Sequence, residues 1–365
     1  MKNILFLIGE FFFIIITTIN TEYANLTNYV IISWNWRKWE DFGYCEKYKC
    51  LFTKDRKYLK DADAIFFNDF YNSKLKYGTK LIKRPKNTTL FVNSITESYR
   101  RLNHKKKLNK IIYPKNYFNL TYSYLPNADI ELAVINKKWK LNNITREEIN
   151  KIDKKINLIF NKKTEKIIWL VSNCKTPSGR ENAIKQLKRY IKINQLGECT
   201  GKRIKLTPHE TEELFNKHYF YIASENSDCK YYQTEKIYSR MPYTSIPIVN
   251  VRKLYENNIP KDSFIAMDDF KSPRKLVRYL KFLIKNKSKY LKFFDYRKLG
   301  WQTEEILTGK CHLCHDIVKF IQSNKKKVYF DIDDWLEKST FCLHDNYVIN
   351  FWKLNQRKLN LENKL

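Results

Sequence analysis

The chain has 365 residues, 43% of them hydrophobic and 15% aromatic, enough apolar material for two cores of ordinary size, which excludes the disordered class. Lys and Arg number 69 against 38 Asp and Glu, a net charge of +31. The charge is spread in pieces such as HKKKLNK, with no aromatic-basic stripe or nucleic-acid motif beside it, so it reads as solvated surface and no nucleic-acid partner is expected.

The first element is apolar. Ile4 to Ile19 runs nearly unbroken, interrupted mainly by Gly9 and Glu10, a length between a signal-peptide core and a membrane span. Glu10 favours a cleaved signal, and the lack of a small-x-small cleavage site favours an uncleaved anchor. The expectation over residues 1–20 is a single-pass anchor with the remainder in a lumen; the alternative is secretion after cleavage. Eight cysteines, an even number, suit an oxidising compartment. Asn-x-Ser/Thr sequons at Asn25, Asn87, Asn119 and Asn143 are glycosylation candidates, and a fifth, at Asn286, falls near an expected helix end.

From Asn28 to about Leu141, short apolar runs (YVIISWNW, CLFT, ADAIFF, TLFVN, LTYSY, IELAVI) alternate with charged turns and predict the strands of an α/β domain. TREEINKIDKKINLIF predicts a connecting helix at the boundary. KIIWLV is then a buried strand, SNCKTPSG a turn, and RENAIKQLKRYI a helix with Arg180 in its opening turn, where backbone N–H groups, the helix dipole and a guanidinium could serve an anion. An exposed arginine at a helix start is the plainer reading. HYFYIAS is a strand that delivers Glu225 and Asn226 at its C-terminal end. QTEKIYSRM opens a short helix with Thr234 as cap, SIPIVNV is the next strand, and SPRKLVRYLKFLI is a helix capped by Ser272. Strand–helix alternation implies a parallel sheet wound on both faces, with ligands beyond the strand C-termini. The expected division is 28–155, 156–325 and a C-terminal extension, 326–365, that packs back on the first domain.

The stretch ENSDCKYYQTEK, Glu225 to Lys236, therefore stands where such a sheet binds ligands, and its carboxylates, amide, tyrosines and lysine could hold a nucleotide. FYIASENSDCKYYQTEKIY, followed by IPIV and IPKDSFIAMDDFKSPRKLVRYL, resembles the donor-site signature of the GDP-fucose α1,3-fucosyltransferases, glycosyltransferase family 10. IIWLVSNC with a following Arg, CLFTKDRKYLKDADAIFF, FVNSITES and a C-terminal CHLC continue the resemblance in the family's order.

The resemblance implies two Rossmann-like domains facing across a cleft, the GT-B arrangement. It also implies inversion at fucose without a bound divalent metal, so that no cofactor is required. Glu97 matches the acid of the family's Glu-Ser-Pro motif, the general base. Arg180 matches its diphosphate arginine, and Glu225 and Asn226 its Glu-Asn pair. Tyr232 matches the tyrosine near guanine, Glu235 the carboxylate for ribose and fucose, and Lys236 the diphosphate lysine. The implied partners are GDP-fucose, an N-acetylglucosamine-containing glycan and the Golgi membrane, with a type II, lumenal catalytic part. Tyr99 stands where the family has Pro, Tyr231 where it has an acid and Ser224 where it has Phe, and the Gly after IPIV is missing. These departures motivate the alternative of a weak or inactive relative that binds glycan or nucleotide.

CHLCH, Cys311 to His315, fits half a zinc site or a haem-attachment pattern by spacing; the resemblance instead implies disulfides from Cys45 and Cys50 to Cys311 and Cys314. Cys174 and Cys199, at the ends of successive strands, are a further candidate pair, and Cys229 and Cys342 are left paired or free. Asp61 to Asp63 and Asp331 to Asp334 resemble the Asp-x-Asp of metal-dependent transferases and are read as structural.

Overall fold

The structure is a computed structural model that describes residues 28–35, 41–68, 81–106, 113–132, 137–256, 258–305 and 309–362. The apolar N-terminal segment and the Asn25 sequon lie outside the described residues.

Seven strands, β1 (Tyr29–Ser33), β2 (Gly43–Cys45), β3 (Cys50–Thr53), β4 (Ala64–Asn68), β5 (Leu90–Ile95), β6 (Leu120–Ser123) and β7 (Ile130–Glu131), form the first sheet. Their order is β2-β3-β1-β4-β5-β6-β7, and every neighbouring pair is parallel except the β2–β3 hairpin. The period of two puts Ile31, Phe66, Val92 and Leu120 on one face and Ile32, Ile65, Phe67 and Phe91 on the other. Both faces are covered, which is why these strands are continuous apolar runs rather than alternating ones. After β5 the chain passes Glu97 and enters α1 (Tyr99–Lys106).

β8 (Lys137–Leu141) pairs antiparallel with β14 (Trp301–Glu305), a small ribbon apart from both main sheets. Helix α2 (Arg146–Asn161) starts with a reciprocal cap between Thr145 and Glu148. The second sheet has the order β10-β9-β11-β12-β13 and is parallel throughout: β9 (Glu165–Leu170), β10 (Ile193–Leu196), β11 (His218–Ile222), β12 (Ile246–Val249) and β13 (Ile265–Ala266). Helices α3 (Arg180–Leu187), α4 (Pro208–Lys217), α5 (Glu235–Tyr238) and α6 (Pro273–Lys285) follow β9, β10, β11 and β13. Ser272 caps α6 as expected, its hydroxyl accepting from Lys275 N. Thr234 does not cap α5 with its side chain; its hydroxyl is engaged by Glu225.

Helix α7 (Gly309–Gln322), expected with the second domain, packs on the first sheet, where Leu313, Cys314, Ile317 and Val318 close the Phe66 face. Cys45 and Cys50 face each other across the β2–β3 hairpin, while Cys311 and Cys314 lie one turn apart on α7. The Cys45–Cys311 and Cys50–Cys314 bonds match one adjacent pair to the other. Cys174–Cys199 forms as proposed, and Cys229 and Cys342, left open by the sequence, are bonded. The CHLCH histidines are engaged locally: His312 Nε2 lies 2.7 Å from the Glu131 carbonyl, and His315 Nδ1 lies 2.7 Å from Asp316 Oδ1.

The C-terminal extension divides. Tyr329, in the approach to α8 (Ile332–Ser339), packs on the first sheet together with Ile332, whereas α9 (Tyr347–Glu362) seats Val348 and Trp352 in the second core. The Asp-rich stretches are structural. Asp331 caps α8 through the amides of Asp333 and Asp334, and Asp63 accepts from Val30 N and pairs with Lys86.

Among the sequons, Asn87 and Asn143 are exposed. Asn119 is more engaged. Its Oδ1 accepts from Arg84 Nη1 at 2.6 Å and Phe91 N at 2.9 Å, and its Nδ2 donates to the Lys327 carbonyl at 2.9 Å. A sugar there would leave Nδ2 one hydrogen for the bond to the Lys327 carbonyl.

Candidate active site

The C-terminal ends of β9 and β11 and the turn between β5 and α1 meet in a cavity of about 450 Å³. It is lined by Glu97 and Arg101 from the first sheet's side and by Arg180, Asn226, Glu235 and Lys236 from the second. Asn173 and Arg240 complete the polar wall, and Leu170, Leu196 and Leu206 are among the apolar residues opposite.

Glu97 leaves β5 beside the other sheet's loop. Its Oε2 accepts from Tyr232 Oη at 2.9 Å and Asn226 Nδ2 at 3.1 Å, with Arg101 Nε at 3.5 Å. Among the described residues Oε1 takes no hydrogen bond, so one carboxylate oxygen is fixed and the other faces the cavity. Next to it, Ser98 Oγ donates to Ser227 Oγ at 2.7 Å, a buried bond between the two sides.

Arg180 is placed by Gly179, a left-handed residue at the start of α3, whose absent β-carbon makes room for Asn346. Arg180 is 3% exposed, with Nη1 on the Ser224 carbonyl at 2.6 Å and Nη2 on the Asn173 carbonyl at 3.2 Å. Among the described residues its Nε has no partner. Burial pulls its pKa down, with Glu225 and Glu181 opposing. A buried fork with unused N–H groups is suited to an anionic ligand.

Lys236 is fully coordinated. Its Nζ reaches Thr234 Oγ1 at 2.7 Å, Glu225 Oε2 at 2.9 Å and Glu235 Oε1 at 3.1 Å, which accounts for all three ammonium hydrogens. Glu225 is 1% exposed and also accepts from Thr234 N at 2.8 Å, so it anchors the loop from behind and does not line the cavity. The Glu235 side chain is half open. Burial of its carboxyl pushes the pKa up, but Lys236, Arg240 and hydrogen bonds from Thr234 and Lys236 outweigh this and hold it at about 2. Tyr232 is 5% exposed, bonded to Glu97 and edge-on to Tyr124 at 5.2 Å, so it stands behind the cleft wall.

Thus Glu97, Arg180, Asn226, Glu235 and Lys236 converge on one hollow, while Glu225 and Tyr232 support it. Sequence reasoning did not single out Arg101, Asn173 or Arg240. Arg101 was legible only as the residue one helical turn after Glu97.

The loop's fastening was not legible either. Asp228 is buried, Oδ1 accepts from Asn250 Nδ2 at 2.8 Å, and Oδ2 has no partner. The Cys229–Cys342 bond and the Leu343 N to Asp228 O bond tie the loop to the C-terminal segment. Burial pushes the Asp228 carboxyl up to about 7; the Asn250 hydrogen bond and Arg180 oppose this, and Asp268 and Glu225 reinforce it. A raised folded-state value favours the protonated acid in the fold. Its contribution is complete below about pH 4, falls as pH rises towards 7, and is gone above that. Asp228→Asn, which mimics the neutral acid, should flatten this part of the profile. Urea titrations at pH 4 to 8 should show the variant gaining on wild type as pH rises, because only the wild type must ionise a buried carboxyl; parallel profiles would refute it.

A carboxylate facing two fixed cations across a cleft is the equipment for transfer from an anionic leaving group. A model of glycosyltransferase family 10 (fucosyltransferase), C-terminal part, matches residues 160–335, and one of the fucosyltransferase N-terminal part matches 26–134. The chain belongs to glycosyltransferase family 10. It is 29% identical over 271 residues to the α-(1,3)-fucosyltransferase fut-1 of Caenorhabditis elegans, covering 73% of this chain and 58% of that one. It is 27% identical over 327 residues to the glycoprotein 3-α-L-fucosyltransferase A of Drosophila melanogaster, covering 85% and 59%. The chain thus spans somewhat less than two thirds of the length of these two relatives. A crystal structure of an α1,3-fucosyltransferase with GDP-fucose aligns over 90% of each chain, with TM-score 0.45 and 16% identity.

Proposed function

We propose that the protein is an inverting α-(1,3)-fucosyltransferase of GT-B arrangement that moves L-fucose from GDP-fucose to O3 of N-acetylglucosamine in a glycan. The observation that carries this is that Glu97, held through Oε2 by Tyr232, lines the same hollow as Arg180 and Lys236. The acceptor hydroxyl gives its proton to Oε1 as its oxygen bonds to C1 of fucose. The bond from C1 to the phosphate oxygen breaks on the opposite face, and GDP leaves with growing negative charge. Arg180 offers unused N–H groups to the diphosphate. Lys236 takes up a phosphate oxygen by releasing Glu235, the half-open one of its three partners, and Glu235 then turns to sugar hydroxyls. Fixed cations thus carry the leaving-group charge, and transfer is expected to persist in chelator. Asn226 and the buried Tyr232 hold Glu97 from the donor side, so the donor loop also shapes the base.

The family resemblance and the paired cysteines support a lumenal, Golgi-membrane protein with residues 1–20 as anchor; among the described residues no helix is long and apolar enough to cross a membrane. The test is incubation with GDP-fucose and a panel of chitobiose-core, lactosamine and LacdiNAc acceptors, with linkage analysis of the product. Transfer to O3 of N-acetylglucosamine is expected. No transfer to any acceptor, with saturable GDP binding retained, would replace this reading with that of a nucleotide-binding relative.

A further inference from the structure

We propose that Arg101 is a positioning residue that orients the Glu97 carboxylate and ties it to the loop carrying Arg180, an inference that rests on reading Glu97 as the base. Arg101 lies in the first turn of α1, four residues after Glu97, and its side chain is 19% exposed on the cavity wall. Its Nε stands 3.5 Å from Glu97 Oε2, within charge-pairing range but long for a hydrogen bond. Its Nη1 donates to the side-chain oxygen of Asn173 once that amide is oriented to satisfy both of its ends; the Asn173 nitrogen then donates to the Lys175 carbonyl at 3.2 Å. The main-chain carbonyl of Asn173 in turn accepts from Arg180 Nη2. A continuous path therefore joins the proton acceptor to a diphosphate cation and crosses from the first sheet's side to the second's.

The chemistry requires an arginine. A planar fork can serve a carboxylate and an amide oxygen at once, whereas an ammonium on a flexible stem serves them as a point charge. The other two groups that hold Glu97, Asn226 and Tyr232, are neutral donors from the second sheet's side. Arg101 supplies the positive charge from the base's own side, and it couples the angle of that carboxylate to the placement of the Arg180 loop.

The test uses the full chain, GDP-fucose and the acceptor that the panel identifies. Arg101→Gln is expected to lower kcat by about 10²-fold, at the modest end for a misplaced acid–base group, and to leave KM for GDP-fucose within about threefold, since ground-state donor contacts are untouched. Arg101→Lys should not restore kcat, and Asn173→Ala should lower kcat, again with KM for GDP-fucose near wild type. GDP titration and thermal midpoint check the fold, and if Arg101→Gln does not fold, the Lys variant carries the comparison. A KM for GDP-fucose that rises in step with the fall in kcat for Arg101→Gln, or full recovery of kcat in Arg101→Lys, would overturn the proposal. Glu97→Gln separates it from the reading beneath it. If Glu97→Gln keeps wild-type kcat, the base assignment fails and this inference with it; if Glu97→Gln is inactive while Arg101→Gln matches wild type in kcat, this inference alone fails.

Discussion

Glu97→Gln is expected to lower kcat for fucosyl transfer by about 10²–10⁴, the usual contribution of a positioned acid–base group, while GDP affinity stays near wild type. The substitution is informative because the two carboxylate oxygens have different duties. Oε2 receives Tyr232 and Asn226, so the glutamine oxygen can occupy its place and keep those bonds. The amide nitrogen then falls at Oε1, where it can donate but cannot take a proton. The fold should notice little, since Glu97 retains its neighbours and its side chain is 22% exposed. The measurement is initial rate at saturating donor and acceptor, with GDP titration as control. A variant that transfers fucose at a wild-type rate would place the base elsewhere. One that loses GDP binding as well would make Glu97 a strut between the lobes, given that its partners Asn226 and Tyr232 belong to the donor loop.

The strands and helices of the second sheet were legible because their apolar content is local and strong. KIIWLV and IPIV are continuous β-branched runs, and the Ser272–Pro273 start of α6 announces itself by capping chemistry. Short edge elements such as β2 and β13 were not legible, since two or three residues beside a long-range partner carry no periodicity of their own. The return of α7 to the first sheet was legible only through the cysteine pairing that the resemblance implies, since its helical pattern says what face is apolar, not which core receives it.

At the site, residue types were legible and depth was not. Glu225 and Glu235 read alike in sequence, yet one is buried behind the loop and the other opens to the cleft. The departures Tyr99 and Tyr231 read as losses; in the fold both rings pack against the same small cluster of Ile95, Leu102, Leu125 and Leu336 between the two sides. Tyr231 holds a left-handed backbone, φ +65°, an unusual state for a bulky residue, and burial of its ring in that cluster is the compensation. What looked like decay of a motif is a second set of contacts that fixes the donor loop against α1.

Lys236→Met is expected to lose donor binding and also on the order of 3 kcal/mol of stability, whereas a ligand-only lysine would lose the first alone. Removing one member of a buried ion pair typically costs 3–5 kcal/mol because a charge is left without its partner, and here that charge is Glu225, 1% exposed. The loss should sit near the lower bound, since Thr234 still donates to Glu225 through its amide and hydroxyl at 2.8 Å. Adding Glu225→Gln removes the stranded charge while keeping an oxygen for Thr234, so the double variant should recover most of the urea midpoint. It should not recover GDP binding, because the ammonium proposed to meet the diphosphate is still gone. Stability and binding thus part company in the double variant, by the logic of a double-mutant cycle. If the single variant unfolds at the wild-type midpoint, the Glu225–Lys236 contact contributes nothing to the fold; if the double variant binds GDP as wild type does, Lys236 is a strut and Arg180 alone carries the diphosphate.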